Sequence, residues 1–93
     1  MKRNRHKLVR IDWLDSKGIT AGWEFREEMA PLLPCKCFSV GFLIDDSADY
    51  KTIVQTIDDA KDNAQVMGRM SIPTCAIDKI VKLCAKTHTQ EGE

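Results

Sequence analysis

Four cysteines are the side chains of this chain best suited to bind a metal ion or to carry redox chemistry: Cys35, Cys37, Cys75 and Cys84. A structural zinc site uses four such ligands in a tetrahedral array, and histidine can replace a thiolate. The pairs are separated by one and by eight residues, whereas zinc knuckles have about two to four residues between paired cysteines. C-x-C also lacks the spacing of a C-x-x-C redox motif. We therefore expect no metal and interpret the cysteines as small buried hydrophobic residues.

Two acidic clusters and two histidines are the remaining groups that could do catalytic chemistry. Residues 45–49 contain three aspartates but lack the glycine and the closing glutamate of an EF-hand loop. Residues 58–62 hold three more and are interpreted, like the first cluster, as a solvated loop. His6 and His88 lie in predicted tails. No phosphate-binding loop, metalloprotease or hydrolase motif is present in the sequence. We expect a protein that is not an enzyme and that uses no cofactor.

Trp13 and Trp23 are the most informative side chains, because an indole ring buries a large area in a core or a subunit interface. The alternative is that one of them stacks on a nucleobase, which contributes about 1–3 kcal/mol per base. Arginine side chains, or Lys36, would then meet phosphate. The expected ligand-binding residues are Trp13, Trp23, Arg26, Phe42, Tyr50 and Arg69.

Length and composition place the chain among ordinary globular proteins of one domain. It has 93 residues, 43% of them apolar and 30% charged. Its 14 basic and 14 acidic residues cancel, so the net charge provides no general attraction to nucleic acid or to an anionic membrane. The basic start at residues 1–7 is followed by no apolar stretch of a secretory signal. We expect a cytoplasmic protein that completes its buried surface by forming a homo-oligomer.

The stretch around which the chain is organised holds two apolar runs, at residues 38–44 and 50–57, joined by an acidic link. Both runs are rich in β-branched and aromatic residues, which favour strands. The short polar link is typical of a hairpin loop. The sequence therefore predicts two neighbouring antiparallel strands in the middle of a small sheet.

The residues before this hairpin predict a strand pair of their own. Residues 8–14 alternate, with Val9, Ile11 and Trp13 on the inward face and Asp12 on the outward one. A tight turn at residues 15–18 would lead to a short returning strand at residues 19–25. Residues 24–33 predict a single helical turn that ends before Pro31.

The residues after the hairpin predict a polar loop and a further strand at residues 66–72, with Pro73 at a bend or a sheet edge. Residues 74–83 fit either a helix or a strand, and their spacing slightly favours the helix. We place a basic arm at residues 1–7, one domain at residues 8–84 and a polar tail at residues 85–93.

Three pieces of the sequence carry a resemblance: VRIDWLDSKGITAGWEF, SVGFLIDD…DYKTIVQTI and RMSIPTCAIDKIVKL. They resemble a group of small, mostly uncharacterised bacteriophage proteins with a W-x-D-S…G-W start and an I-P-x-x-A-I-x-x-I ending. If the chain is phage-encoded, its location is the cytoplasm of the host.

More distantly, the layout is similar to Sm/LSm-like small β-barrels. This likeness implies a mainly β fold with minor α: a bent, oligomeric five-stranded antiparallel barrel. It also implies that residues 74–83 form a bend followed by a strand. The asparagine of the family's RNA pocket is not evident, and Arg69-Met70-Ser71 departs from its R-G pair. Uridine recognition therefore does not carry over.

Two functions follow as expectations, and neither is catalytic. The first is a ring-forming protein that binds RNA or a nucleotide, including sequestration of a host nucleotide signal. The second is a protein–protein interaction module that docks on or inhibits a host or phage enzyme, through the acidic residues 45–49 and 58–62. No membrane partner is expected.

Overall fold

The computed structural model describes residues 6–84, which form a mainly β fold with no α-helix among them. Two 3-10 turns, Arg26–Glu28 and Thr74–Ala76, interrupt the strands. The strands are β1 Lys7–Asp15, β2 Cys35–Asp46, β3 Tyr50–Val54, β4 Thr56–Ile57, β5 Val66–Met67, β6 Met70–Pro73 and β7 Ile77–Lys82. Five of them form one antiparallel sheet in the order β6-β3-β2-β1-β7, and β4 pairs with β5 in a separate two-stranded ladder. The predicted five-stranded antiparallel sheet is confirmed.

The expected closure of the sheet into a barrel is wrong, although the sheet must bend strongly. β6 and β7 lie at opposite edges, and yet only the turn Thr74–Ala76 joins them. Four Cα steps reach at most about 14 Å, whereas the edges of a flat five-stranded sheet lie about 19 Å apart. The edges therefore approach each other. No ladder joins these two strands: β6 pairs with β3 alone, and β7 pairs with β1 alone.

The core lies on one face of the sheet and is built from Val9, Ile11, Ile53 and Ile72. Trp13 packs against them, so the predicted inward face of the first strand is confirmed. Asp12 was expected on the solvated face, but it is only 7% exposed. Its carboxylate accepts two hydrogen bonds from the Arg10 guanidinium, at 2.8 and 3.2 Å. This pairing explains how a charged side chain can be buried there.

The predicted central hairpin is confirmed as β2 and β3, which pair Phe42 with Val54. The second predicted run, residues 50–57, is divided, because β3 ends at Val54 and Thr56–Ile57 form β4 in the separate ladder. The Ser47 hydroxyl and the Tyr50 backbone close the loop between the two strands through hydrogen bonds of 3.1 and 3.2 Å. Gly41 lies where β3 comes closest, since a Cβ atom there would be 2.8 Å from the Val54 carbonyl oxygen.

The predicted strand at residues 19–25 is wrong, because that segment belongs to a long excursion between β1 and β2 (residues 16–34). The physical reason is the neighbourhood of β1: β2 pairs with one of its edges and β7 pairs with the other. A returning strand has no free edge of β1 to join. The single helical turn expected before Pro31 is confirmed as Arg26–Glu28.

In the last third of the described chain, one predicted strand is divided in two and the predicted position of Pro73 is confirmed. The predicted strand at residues 66–72 is split into β5 and β6 at Gly68, whose φ is +77°. Pro73 ends an edge strand, as expected, and residues 74–83 form a turn followed by β7 rather than a helix. Residues 1–5 of the proposed arm and the proposed tail at residues 85–93 lie outside the described residues.

Candidate ligand-binding site

A cavity of about 460 Å³ opens at one end of the sheet, where β1 ends and where β2 and β7 begin. Its size falls within the range of small-molecule sites, about 300–1,000 Å³. It is lined by Asp12, Trp13, Leu14, Lys36, Cys37, Phe38, Cys75, Ala76, Ile77, Asp78 and Lys79. Three strands and the Thr74–Ala76 turn therefore supply the walls.

Strand register places the lining residues in two rows across the sheet. In one row, Asp12 of β1 lies opposite Phe38 of β2 and opposite Lys79 of β7. In the next row, Trp13 lies opposite Cys37 and Ile77. The register of β1 against β7 shifts between these rows. The extra residue is Asp78 of β7, which has no partner on β1, and such an irregularity locally disrupts the ladder. Asp12 and Trp13, from opposite faces of β1, both line this cavity.

Trp13 and Phe38 are the aromatic side chains of the cavity. Trp13 packs against the core, and its indole Nε1 donates a hydrogen bond of 3.0 Å to Ser39 Oγ. Phe38 is largely exposed, and the Arg10 guanidinium carbon lies 6.0 Å from the centre of its ring. One ring is thus held by the core and the other is open to solvent.

The charges around the cavity include two ammonium groups, those of Lys36 and Lys79. Two carboxylates, of Asp12 and Asp78, also line it, but Arg10 already neutralises the first of them through a paired contact of 2.8 Å. The local balance therefore favours an anion over a cation. This balance, next to two aromatic rings, fits a planar ligand that carries negative charge.

Cys37 and Cys75 also line the cavity. The pKa of Cys37 is raised above its usual value, first by desolvation and then by the neighbouring Cys35 thiol. The interpretation of the cysteines as buried hydrophobic residues is wrong: Cys37 is half-buried, while Cys35, Cys75 and Cys84 are exposed. Strand ends and turns carry all of them, which explains why the core does not cover them.

Of the six residues expected to bind ligand, Trp13 alone lines the cavity. Phe42 lies four positions further along β2 than Phe38, about 13 Å away along the strand, opposite Leu8. Tyr50 begins β3 directly after the hairpin loop, opposite Pro73 of β6. The excursion carries Trp23 and Arg26, and Arg69 lies between β5 and β6. The other five residues lie outside this cavity.

Sequence reasoning did not include Phe38 and Lys79 in the expected site. Phe38 was assigned to a central strand, and Lys79 belongs to residues 74–83, which fitted either a helix or a strand. The register of β1 with both of its neighbours was the missing information, because it brings residues 38, 12 and 79 into one row.

A smaller cavity of about 270 Å³ lies against β2, β3 and β6, and no charged side chain lines it. Within residues 6–84, no group of three or more His, Cys, Asp or Glu side chains is placed to hold a metal ion. No helix in that part of the chain is both long and apolar enough to cross a membrane.

Fold and site together define a five-stranded antiparallel β-sheet protein with an aromatic and cationic cavity at one end of its sheet. Comparisons with protein-family models, with curated proteins and with solved structures found no match. The bacteriophage and Sm/LSm-like resemblances therefore remain predictions.

Proposed function

We propose that this chain is a non-catalytic, oligomeric binding protein, Sm-like and of phage type, whose ligand is RNA or a nucleotide. The observation that carries the proposal is the cavity of about 460 Å³, which is lined by Trp13 and Phe38 together with Lys36 and Lys79. A nucleobase would stack on an aromatic ring, and its phosphate would meet a lysine ammonium group. Stacking of this kind contributes about 1–3 kcal/mol per base.

A nucleotide is favoured over a long RNA by the size and charge of the site. The cavity has the volume of a small-molecule pocket, about 300–1,000 Å³, and the chain as a whole has no excess of basic residues. A protein that follows a nucleic-acid backbone commonly presents a clustered basic stripe. A protein that binds a nucleotide without converting it lowers the free concentration of that nucleotide. We propose that a host nucleotide signal is sequestered in this way.

Quenching of tryptophan fluorescence tests this proposal. The chain has two tryptophans, so Trp23→Phe leaves Trp13 as the single fluorescent indole. Nucleotides titrated into this variant should quench Trp13, and the affinity should fall as salt screens the lysine–phosphate attraction. Absence of quenching by mononucleotides, dinucleotides and short RNA, together with no nucleotide retained by the purified protein, would refute the proposed ligand.

A protein–protein interaction module is the second candidate, and the apolar surface of the excursion favours it, since large exposed apolar patches commonly mark interaction sites. In the version expected from the sequence, the acidic residues 45–49 and 58–62 meet a basic host or phage enzyme. Charge reversal at Asp58 and Asp59 should then abolish capture of that enzyme while the fold remains intact. If the variant captures the enzyme as well as the wild-type protein does, docking through these acidic residues is refuted.

A further inference from the structure

The excursion (residues 16–34) presents apolar side chains to solvent rather than to the core. Trp23 is 103% exposed and Ile19 is 102% exposed, relative to a fully accessible side chain. The complete set, each more than half exposed, is Ile19, Trp23, Phe25, Met29, Leu32 and Leu33. Isolated apolar residues are common on protein surfaces. Six exposed apolar residues within fifteen positions of one segment instead indicate an interaction site.

The excursion leaves the sheet and returns to it at the same place. It starts after Asp15 and ends before Cys35, and these two residues are paired across β1 and β2. A Cβ atom at Gly18 would lie 3.4 Å from Leu32 Cδ2, so the two limbs approach each other near the base. The Cα radius of gyration is 18.9 Å, against about 12 Å for a compact chain of this length.

The apolar area on the excursion is that of one side of a stable interface. Two large aromatic side chains bury about 150–250 Å² each when covered. With the four aliphatic side chains the total is roughly 500–900 Å², and a standard protein–protein interface buries about 800 Å² on each partner. Burial of the excursion would therefore suffice for a specific contact.

The same chain presents an apolar surface of its own on the side of β1 and β2 that faces away from the core. Cross-strand partners share a face, and the pairs Leu14–Lys36, Asp12–Phe38 and Arg10–Val40 place their side chains there. Leu14 is 45% exposed, Val40 52% and Phe38 67%. We call the surface formed by Leu14, Lys36, Phe38 and Val40 the outer face.

Charge distinguishes the excursion from the outer face and makes them complementary. The excursion contains three glutamates, one arginine and one lysine, which gives a net charge of −1. The outer face carries Lys36 at one end, and Lys79 of β7 lies in the same row as Phe38. Opposite potentials on two apolar surfaces favour one docking orientation over others.

We infer that the excursion of one copy docks on the outer face of a second copy, with Trp23 and Phe25 packed against Phe38 and Val40. The occupant is a second copy because one chain carries both complementary surfaces, and the excursion leaves its side chains exposed instead of folding back on its own sheet. The docked excursion covers part of the cavity wall, since Phe38 and Lys36 belong to both, and it leaves Trp13 as the ring on which a nucleobase can stack. This inference rests on the oligomeric part of the proposed function and does not depend on the ligand.

Sedimentation of the full chain and of two variants tests the inference. Wild-type protein should sediment as a multiple of its 10.5 kDa chain mass. Trp23→Ala with Phe25→Ala removes the anchors of the excursion, and Phe38→Asp places a charge in the outer face. Each variant should weaken self-association by at least about 30-fold, the loss that a single interface hot spot causes.

The matched control is Met67→Ala, which truncates an apolar side chain of β5 that is 66% exposed and lies outside both surfaces. This variant should keep the wild-type mass. Circular dichroism reports whether each variant is folded, and Val40→Asp replaces Phe38→Asp if the latter unfolds.

Mixing the two variants gives a further test. The Phe38→Asp copy retains an intact excursion, and the Trp23→Ala, Phe25→Ala copy retains an intact outer face. The mixture should therefore form mixed assemblies that neither variant forms alone. If the wild-type protein assembles and both variants keep its mass, this inference is overturned and the proposed oligomer stands. If the wild-type protein sediments as a single chain, both the inference and the proposed oligomer are overturned.

Discussion

The indole Nε1 of Trp13 donates a hydrogen bond of 3.0 Å to Ser39 Oγ across the pairing of β1 with β2. Trp13 also packs against the core cluster and is one of the residues that line the cavity at the end of the sheet. Packing and this bond together fix the orientation of the ring. A stacking surface that is already ordered loses less freedom when a ligand binds.

Ser39→Ala should loosen Trp13 and weaken nucleotide binding. The variant removes the acceptor of the indole hydrogen bond, which contributes about 0.5–1.5 kcal/mol. If binding has to restore all of that order, the affinity falls by at most roughly 12-fold. Fluorescence anisotropy of Trp13, in the Trp23→Phe background, should fall. Ser16→Ala, an exposed serine of the excursion, is the control and should change neither quantity. Equal anisotropy in both variants would contradict the role of the bond.

Lys36→Glu and Lys79→Glu should each lower nucleotide affinity and reduce its salt dependence, because each removes one ammonium group from the cavity. Lys61→Glu is the charge-matched control: it changes the net charge equally but lies in the exposed loop between β4 and β5. Isothermal titration at two salt concentrations measures the effect. If all three variants behaved alike, net charge rather than the cavity would govern binding.

Bound nucleotide should protect Cys37 and Cys75 from alkylation, because both thiols line the cavity. Cys84 is exposed at the end of the described chain and provides an internal control that should stay reactive. Mass spectrometry after a short pulse of iodoacetamide separates the sites. Uniform labelling with and without nucleotide would place the ligand elsewhere.

Free of ligand, Cys37 should be alkylated only slowly at pH 8. Desolvation and the neighbouring Cys35 raise the pKa of Cys37, so a smaller fraction is the reactive thiolate at that pH. Cys35→Ser should lower the pKa of Cys37 and speed its alkylation. A rate for Cys37 that this substitution leaves unchanged would contradict the thiol–thiol interaction.

Ile11→Ala should destabilise the fold by about 2–5 kcal/mol, because Ile11 is 0% exposed in the core and truncation leaves a cavity. Ile19→Ala is the matched control. Its side chain is 102% exposed, so the free energy of unfolding should change by no more than about 0.5 kcal/mol. Urea unfolding at a concentration at which the chain is a single copy makes the comparison. A similar loss in both variants would mean that the excursion contributes to the core.

Gly41→Ala should destabilise the β2–β3 hairpin by about 1–3 kcal/mol. A Cβ atom at this position would meet the Val54 carbonyl oxygen at 2.8 Å and Ile53 Cβ at 3.1 Å. Neither atom is the far end of a flexible side chain, so the strands would have to separate. Chemical denaturation measures the loss, and an unchanged midpoint would show that the two strands can move apart without cost.

The central hairpin and the first strand could be predicted because their signals are local. Strict alternation puts Val9, Ile11 and Trp13 on one face of β1. Strand-forming residues on either side of an acidic link define β2 and β3. Pro73 cannot donate a ladder hydrogen bond, which indicates an edge. Each of these conclusions needs only a residue and its immediate neighbours.

Pairing between strands that are distant in sequence cannot be predicted from neighbouring residues. This pairing determined the remaining features of the fold and of the cavity. Residues 19–25 have the composition of a strand, yet they remain outside the sheet because β2 and β7 occupy both edges of β1. Sequence alone therefore determined a β protein with a central hairpin and no familiar catalytic motif. Tertiary structure decided that Asp12, Phe38 and Lys79 share a row beside Trp13, because register between strands far apart in sequence depends on how the whole sheet bends.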